Sequence, residues 1–180
     1  MPVTPLHYCA AYAINKAKAG MVLPALVVGS MIPDVELFLS IITGGRLVPM
    51  RGLMHSLLGA VTLDISVAVL VTVFLYPLLV SEIFKLEKKN VAEKCRFSGM
   101  LVLSALLGSL SHVLIDSTHH EYNPLLHPFV NGSFDALVIM NNWFLASAIV
   151  HVVLLGLLLA ILVKEIRKST EGLWKRLLVG

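Results

Sequence analysis

A chain of 180 residues has the length of one domain, but 57% of it is hydrophobic, only 14% is charged, and its mean hydropathy is +0.86. Those values lie outside the range of water-soluble globular domains, so the composition predicts an integral membrane protein and excludes a soluble enzyme or binding module. The formal charge of +3 and pI near 9.0 are what basic topological loops give such a chain, and no nucleic-acid partner is expected.

The predicted class is all-α, a multi-pass bundle of membrane helices. Residues 4–19 read as a short helix: Thr4 caps it, Pro5 suits its first position, and Gly20 suits its stop. It is too short to cross a bilayer, which takes about 20 apolar residues, and Lys16 and Lys18 fall in its last turn. No basic residue precedes its apolar residues, so a signal peptide is not expected. Residues 21–43 are apolar but interrupted by Pro24 and by Pro33-Asp34, with Glu36 close behind and Gly44-Gly45 at the end. Pro33 removes a backbone donor and predicts a break beside Asp34, so this segment is either one kinked span or a re-entrant pair of half-helices. The re-entrant form is preferred, because it leaves His7 on the same side as the later histidines.

Three spans follow, at about 53–80, 98–117 and 136–163. The first carries His55 near its start and Asp64 inside, the second carries Gly108 and Ser109 for close helix packing, and the third carries His151. Asp135 is expected to cap the third. There is no internal repeat. Cys9 and Cys95 have nothing to pair them and read as free thiols.

Basic residues set the orientation. Lys85, Lys88, Lys89, Lys94 and Arg96 lie in the loop 82–97, and Lys164, Arg167, Lys168, Lys175 and Arg176 follow the last span. If three helices alternate, both clusters share one face, which predicts a cytoplasmic loop and a basic cytoplasmic tail at 164–180. The whole chain, 1–180, reads as a single domain of the cell (inner or plasma) membrane. The start of the His55 helix and the end of the His112 helix then meet in the opposite, extracytoplasmic leaflet.

Ionisable groups inside a membrane are costly and mark functional sites. The stretch Ser109–His120 reads SLSHVLIDSTHH. On one continuous helix His112, Asp116 and His119 share a face, and His120 does not. Imidazole nitrogen and carboxylate oxygen are the donor set of zinc or a similar divalent ion. The metal-ligand candidates are His7, Asp34, His55, His112, Asp116 and His119, with Asp34 also a candidate general base. Arg46 and Arg51 precede His55, and guanidinium binds phosphate through two donors, so both are substrate-binding candidates unless they only anchor headgroups. His120 and His127, the latter in the loop NPLLHPF, are the other substrate-binding candidates. His151 has no acid four residues on and reads as a packing histidine. No HExxH motif occurs, and His120-Glu121 is followed by Pro124, which argues against an intramembrane zinc protease.

The order TPxH (Thr4, Pro5, His7), GSxxPD (Gly29, Ser30, Pro33, Asp34), HS (His55, Ser56) and SHxxxDxxTH (Ser111, His112, Asp116, Thr118, His119) resembles the YdjM-like membrane-bound metal-dependent hydrolases. That family is similar in ligand order to the zinc-dependent phospholipase C and single-strand nuclease superfamily. The resemblance covers residues 4 to about 120. It implies hydrolysis by a metal-activated water and names no substrate; a phosphoester such as a lipid headgroup is the expectation that fits Arg46 and Arg51 and a site opening at the interface. The soluble superfamily completes three metals with its processed chain start and a late HxxxE. Here Met1 opens the chain and Leu155 stands four residues after His151, so one or two ions, zinc first, are expected. The competing expectation is a non-enzymatic membrane protein that uses the same cluster for ion or proton transfer. Nothing in the residues sets the oligomeric state.

Overall fold

Proline, glycine and hydroxyl side chains punctuate an otherwise apolar chain, and they set where its helices start and stop. The structure, a computed structural model, describes residues 4–45 and 51–180. Pro5 lies in a 3-10 turn, Thr4–His7, that leads into α1, Tyr8–Ala17, and Gly20 reverses the chain at φ +85°. α2, Leu23–Gly29, begins with Pro24 in its first turn. Pro33 cannot donate, so the backbone tightens into a 3-10 turn at Ile32–Asp34 before α3, Val35–Thr43, which ends at Gly44 with φ +60°. The break expected at Pro33 is therefore present.

The expected 53–80 helix is divided further. A 3-10 turn at Leu53–His55 leads into α4, Leu57–Val61, where Ser56 Oγ accepts from Gly59 N at 3.0 Å. After a break at Thr62 the chain continues through α5, Leu63–Leu70, a π-helical stretch at Val71–Leu75, and α6, Tyr76–Phe84. Pro77 follows that stretch and cannot donate to the preceding turn, while Tyr76 N bonds Val71 O five residues back. α7 is Lys88–Lys94, and α8, Gly99–Asp116, is capped by Ser98. α9, Trp143–Lys168, starts seven residues later than expected, because Asn142, not Asp135, caps it. Asp135 opens a 3-10 turn in the connecting loop instead. α10, Leu173–Leu178, closes the chain.

All regular structure among the described residues is helical, and four stretches are long and apolar enough to cross a membrane: Leu23–Thr43, Leu63–Phe84, Gly99–Asp116 and Trp143–Lys168. The broken segment thus joins the three expected spans. α9 buries little of itself and exposes Phe144, Val152 and Leu155, which suits a lipid-facing helix.

One helix pair positions the site. Val22 N bonds Ser104 Oγ at 2.9 Å, Gly108 lies against Leu26 O, and Ser30 O meets His112 Nδ1 at 2.8 Å. Partners in each pair are 82 residues apart, so α2 runs beside α8 in the same direction. A Cβ on Gly108 would stand 2.4 Å from Leu26 O, and one on Gly29 2.3 Å from Ala105 O. Only glycine permits this approach. α1 runs the other way, from His7 down to Asn15, whose Nδ2 donates to Met21 O at the reversal. α1 and α2 form a helical hairpin, which brings His7 and Asp34 to the same end of the bundle.

At the opposite, basic end the last residues fold back. Glu165 accepts from Tyr12 OH at 2.6 Å and from Arg176 Nε at 3.0 Å, and α10 docks where Tyr8 and Tyr76 donate to the carbonyls of Leu177 and Leu178, each at 2.7 Å.

Candidate metal centre

Four chain segments end at one place: the turn before α1, the break at Pro33, the turn before α4 and the C-terminus of α8. They deliver His7, Asp34, His55, His112 and Asp116, all buried. His112 Nε2 lies 3.4 Å from Asp116 Oδ2 and 3.6 Å from Asp34 Oδ1, and His55 Nε2 lies 3.7 Å from the same Asp34 oxygen. Ligand atoms of Asp34, His55, His112 and Asp116 all fall within 4.8 Å of one another. His7 stacks on His112 at 3.9 Å between ring centroids and brings its Nε2 to 3.3 Å from Asp116 Oδ1.

A second group shares Asp116. α8 stops at that residue, since the hydroxyls of Ser117 and Thr118 bond back to Leu114 O and Ile115 O at 2.7 and 2.6 Å. The chain then turns, and the adjacent imidazoles of His119 and His120 both face Asp116, with Nε2 3.9 Å from Oδ1 and 3.5 Å from Oδ2. The expectation that only one of them reaches inward assumed a continuous helix, and the helix end removes that restriction.

The orientation of the rings is fixed from behind. His112 Nδ1 bonds Ser30 O at 2.8 Å, His119 Nδ1 bonds Ile115 O at 2.8 Å, and His55 Nδ1 meets Glu36 Oε2 at 3.0 Å. A carbonyl or carboxylate there accepts a hydrogen bond from Nδ1–H, which keeps the proton on Nδ1 and leaves the Nε2 lone pair facing the centre. Nε2 of His7, His55, His112, His119 and His120, with Oδ2 of Asp34 and Oδ1 of Asp116, is buried without a hydrogen-bond partner among the described residues. Such groups are normally satisfied, and seven together call for an absent partner. A divalent cation fits them. Two ligands at about 2.1 Å in a tetrahedral shell stand about 3.4 Å apart, and the closest contacts here run from 3.3 to 3.7 Å.

Charge supports the same state. Burial, offset by Asp116, lowers the His7 imidazole, and burial with the neighbouring His120 pushes His119 down to about 4. His120 is also lowered, chiefly by burial. These rings are neutral at pH 7, as ligation requires.

Beside the cluster opens a cavity of about 630 Å³, lined by Arg51, His120, Tyr122, His127 and Asn131 among others. Arg51 pairs with Asp116 and keeps Nε and Nη1 buried without a partner among the described residues. The profile of a family described as a domain of unknown function, DUF4184, matches residues 1–177. The chain belongs to the DUF4184 family. No curated protein and no solved structure matches it.

Within this DUF4184 chain the structure gathers every described residue named from the sequence as a ligand. Arg51 and His127 line the cavity and His120 lies between cavity and cluster, whereas Arg46 lies outside the described residues. His151 stays behind His119, its Nδ1 bonded to Ser147 O at 2.6 Å and its ring 6.1 Å from that of His119. Asp64 is buried deeper, accepting from Ser109 Oγ at 2.8 Å. Glu36 was missed as a site residue. Its signal is the spacing Pro33-Asp34-x-Glu36, which puts a second carboxylate two residues after the first, just past the same proline break.

Proposed function

We propose that this DUF4184 protein is a membrane-embedded, metal-dependent hydrolase acting on a phosphoester such as a lipid headgroup. The observation that carries the reading is the convergence of five buried, unpartnered imidazole Nε2 atoms on Asp34 and Asp116. Asp34, His55, His112 and Asp116 would hold one divalent ion, and Asp116 with His119 and His120 a second, with zinc the best match to this donor set. When bound, such an ion supplies Lewis-acid polarisation and acidifies a water. The chain's own groups do the rest. Arg51 neutralises Asp116 and offers its remaining N–H groups to a phosphate oxygen, while His127 and Tyr122 border the space for the substrate. The motif order, which resembles that of the YdjM-like membrane-bound hydrolases, supports hydrolysis as the reaction.

A proton or ion relay is the weaker reading, because a relay needs hydrogen-bonded neighbours and these Nε2 atoms have none among the described residues. Basic residues at the far end of the bundle support a cytoplasmic basic end and an extracytoplasmic centre. The test is hydrolysis of phosphomonoesters, phosphodiesters and phospholipid vesicles by protein reconstituted with zinc, compared with chelator-stripped protein. Turnover that needs zinc and falls to the stripped level in Asp116→Asn is expected. A zinc-loaded wild type inert toward all three would contradict it.

A further inference from the structure

We infer that Glu36 is a positioning residue that sets the tautomer and orientation of His55 for the metal, an inference that rests on the metal-centre reading above. Glu36 opens α3 just after the Pro33 break and is 5% exposed, unusual for a carboxylate in an apolar span. One of its oxygens, Oε2, serves two donors: Gly52 N at 2.8 Å and His55 Nδ1 at 3.0 Å. The first bond fixes the backbone entering the Leu53–His55 turn, and the second fixes the ring on that turn. His55 then has only one nitrogen left, and its Nε2 is the atom 3.7 Å from Asp34 Oδ1.

The same bond decides which nitrogen carries the proton. A carboxylate has no proton to give at Nδ1, so His55 must be the donor there, and Nε2 is left as a lone pair. Glu36 is the partner that holds the proton at Nδ1 among the described residues, and a proton on Nε2 instead would remove His55 as a ligand. The carboxylate also makes the ring a better donor to a cation. His112 and His119 obtain the same fixing from backbone carbonyls, Ser30 O and Ile115 O. His55 alone of the three uses a charged side chain, so its contribution is the one a single substitution can tune.

The experiment compares wild type, Glu36→Gln and Glu36→Ala as full-length protein in detergent. Zinc affinity is measured by chelator competition, and the tautomer of His55 by ¹⁵N NMR of the metal-free protein, with His55→Gln used to assign the signal. Expected are a loss of zinc affinity of about 10- to 100-fold in Glu36→Ala, a smaller loss in Glu36→Gln, and an Nδ1-protonated His55 in wild type that shifts toward Nε2 protonation in Glu36→Ala. Wild-type zinc affinity retained in Glu36→Gln, together with an unchanged His55 tautomer, overturns the role of Glu36 while leaving the metal centre standing. A wild type that takes up no zinc overturns the metal centre, and the role of Glu36 with it. Should Glu36→Ala not fold, Glu36→Gln decides alone, by affinity and tautomer together.

Discussion

Asp116 is the residue on which both ligand groups depend, and the substitutions around it separate them. Asp116→Asn keeps size but loses the shared charge, and it is expected to abolish metal uptake. His120→Ala touches one group alone, so it is expected to lower the bound metal without removing it. Elemental analysis of the two variants beside wild type checks this, and equal metal content in all three would contradict it. A pH effect belongs to the same residues. His119 titrates near 4 in the folded protein and near its ordinary 6.5 when unfolded, so between those values the unfolded chain binds more protons. The contribution of His119 to the stability of the metal-free protein therefore rises with pH from about 4 to about 6.5 and is complete above. His7 and His120, also lowered, act in the same direction. Thermal unfolding after chelation should show this slope, and His119→Gln should flatten it. At the basic end of the bundle burial pushes the Cys95 thiol up to about 12, and the Cys9 thiol in α1 is raised as well. Neither should react with maleimide at pH 7 until the protein is unfolded.

At the scale of elements, the α2/α8 contact carries the geometry of the centre. Gly29 and Gly108 allow backbone to approach backbone, and the same contact lets Ser30 O reach His112. In Gly108→Ala the new Cβ meets Leu26 O at 2.4 Å and Ser30 N at 2.9 Å. Backbone cannot rotate away as a side chain can, so the helices must separate. The expected cost is about 1–3 kcal/mol, read as a lower unfolding midpoint, with weaker metal binding because Ser30 moves from His112. A folded variant with unchanged metal affinity would show that the contact does not position the ring. Gly156, which meets nothing within 4 Å, is the control: Gly156→Ala should leave both properties unchanged.

For the whole molecule, the sequence showed most where a pattern repeats within one element. The four-residue spacing of His112 and Asp116, the proline at position 33 and the long apolar runs each have a local physical cause, and the structure contains each of them. What was not legible depended on where helices end. Ser117 and Thr118 turning the chain after Asp116 decided that His119 and His120 converge, and Asn142 decided the start of α9. Topology was legible only in part, because the short helix expected at residues 4–19 is by length unable to span. Paired with α2 it needs only to run from the centre to Gly20. That hairpin places Thr4 at the centre's end and α10 at the basic end. Tags at the two termini should therefore report opposite sides of the membrane, and tags on the same side would contradict the hairpin.

The central claim is that the buried cluster is a metal centre. Its most direct test is the transition-metal content of detergent-purified protein after a mild zinc soak and removal of free ion, measured by elemental analysis. One to two zinc ions per chain in wild type and none in Asp116→Asn is the result the structure predicts. A folded wild type that holds no transition metal would contradict it.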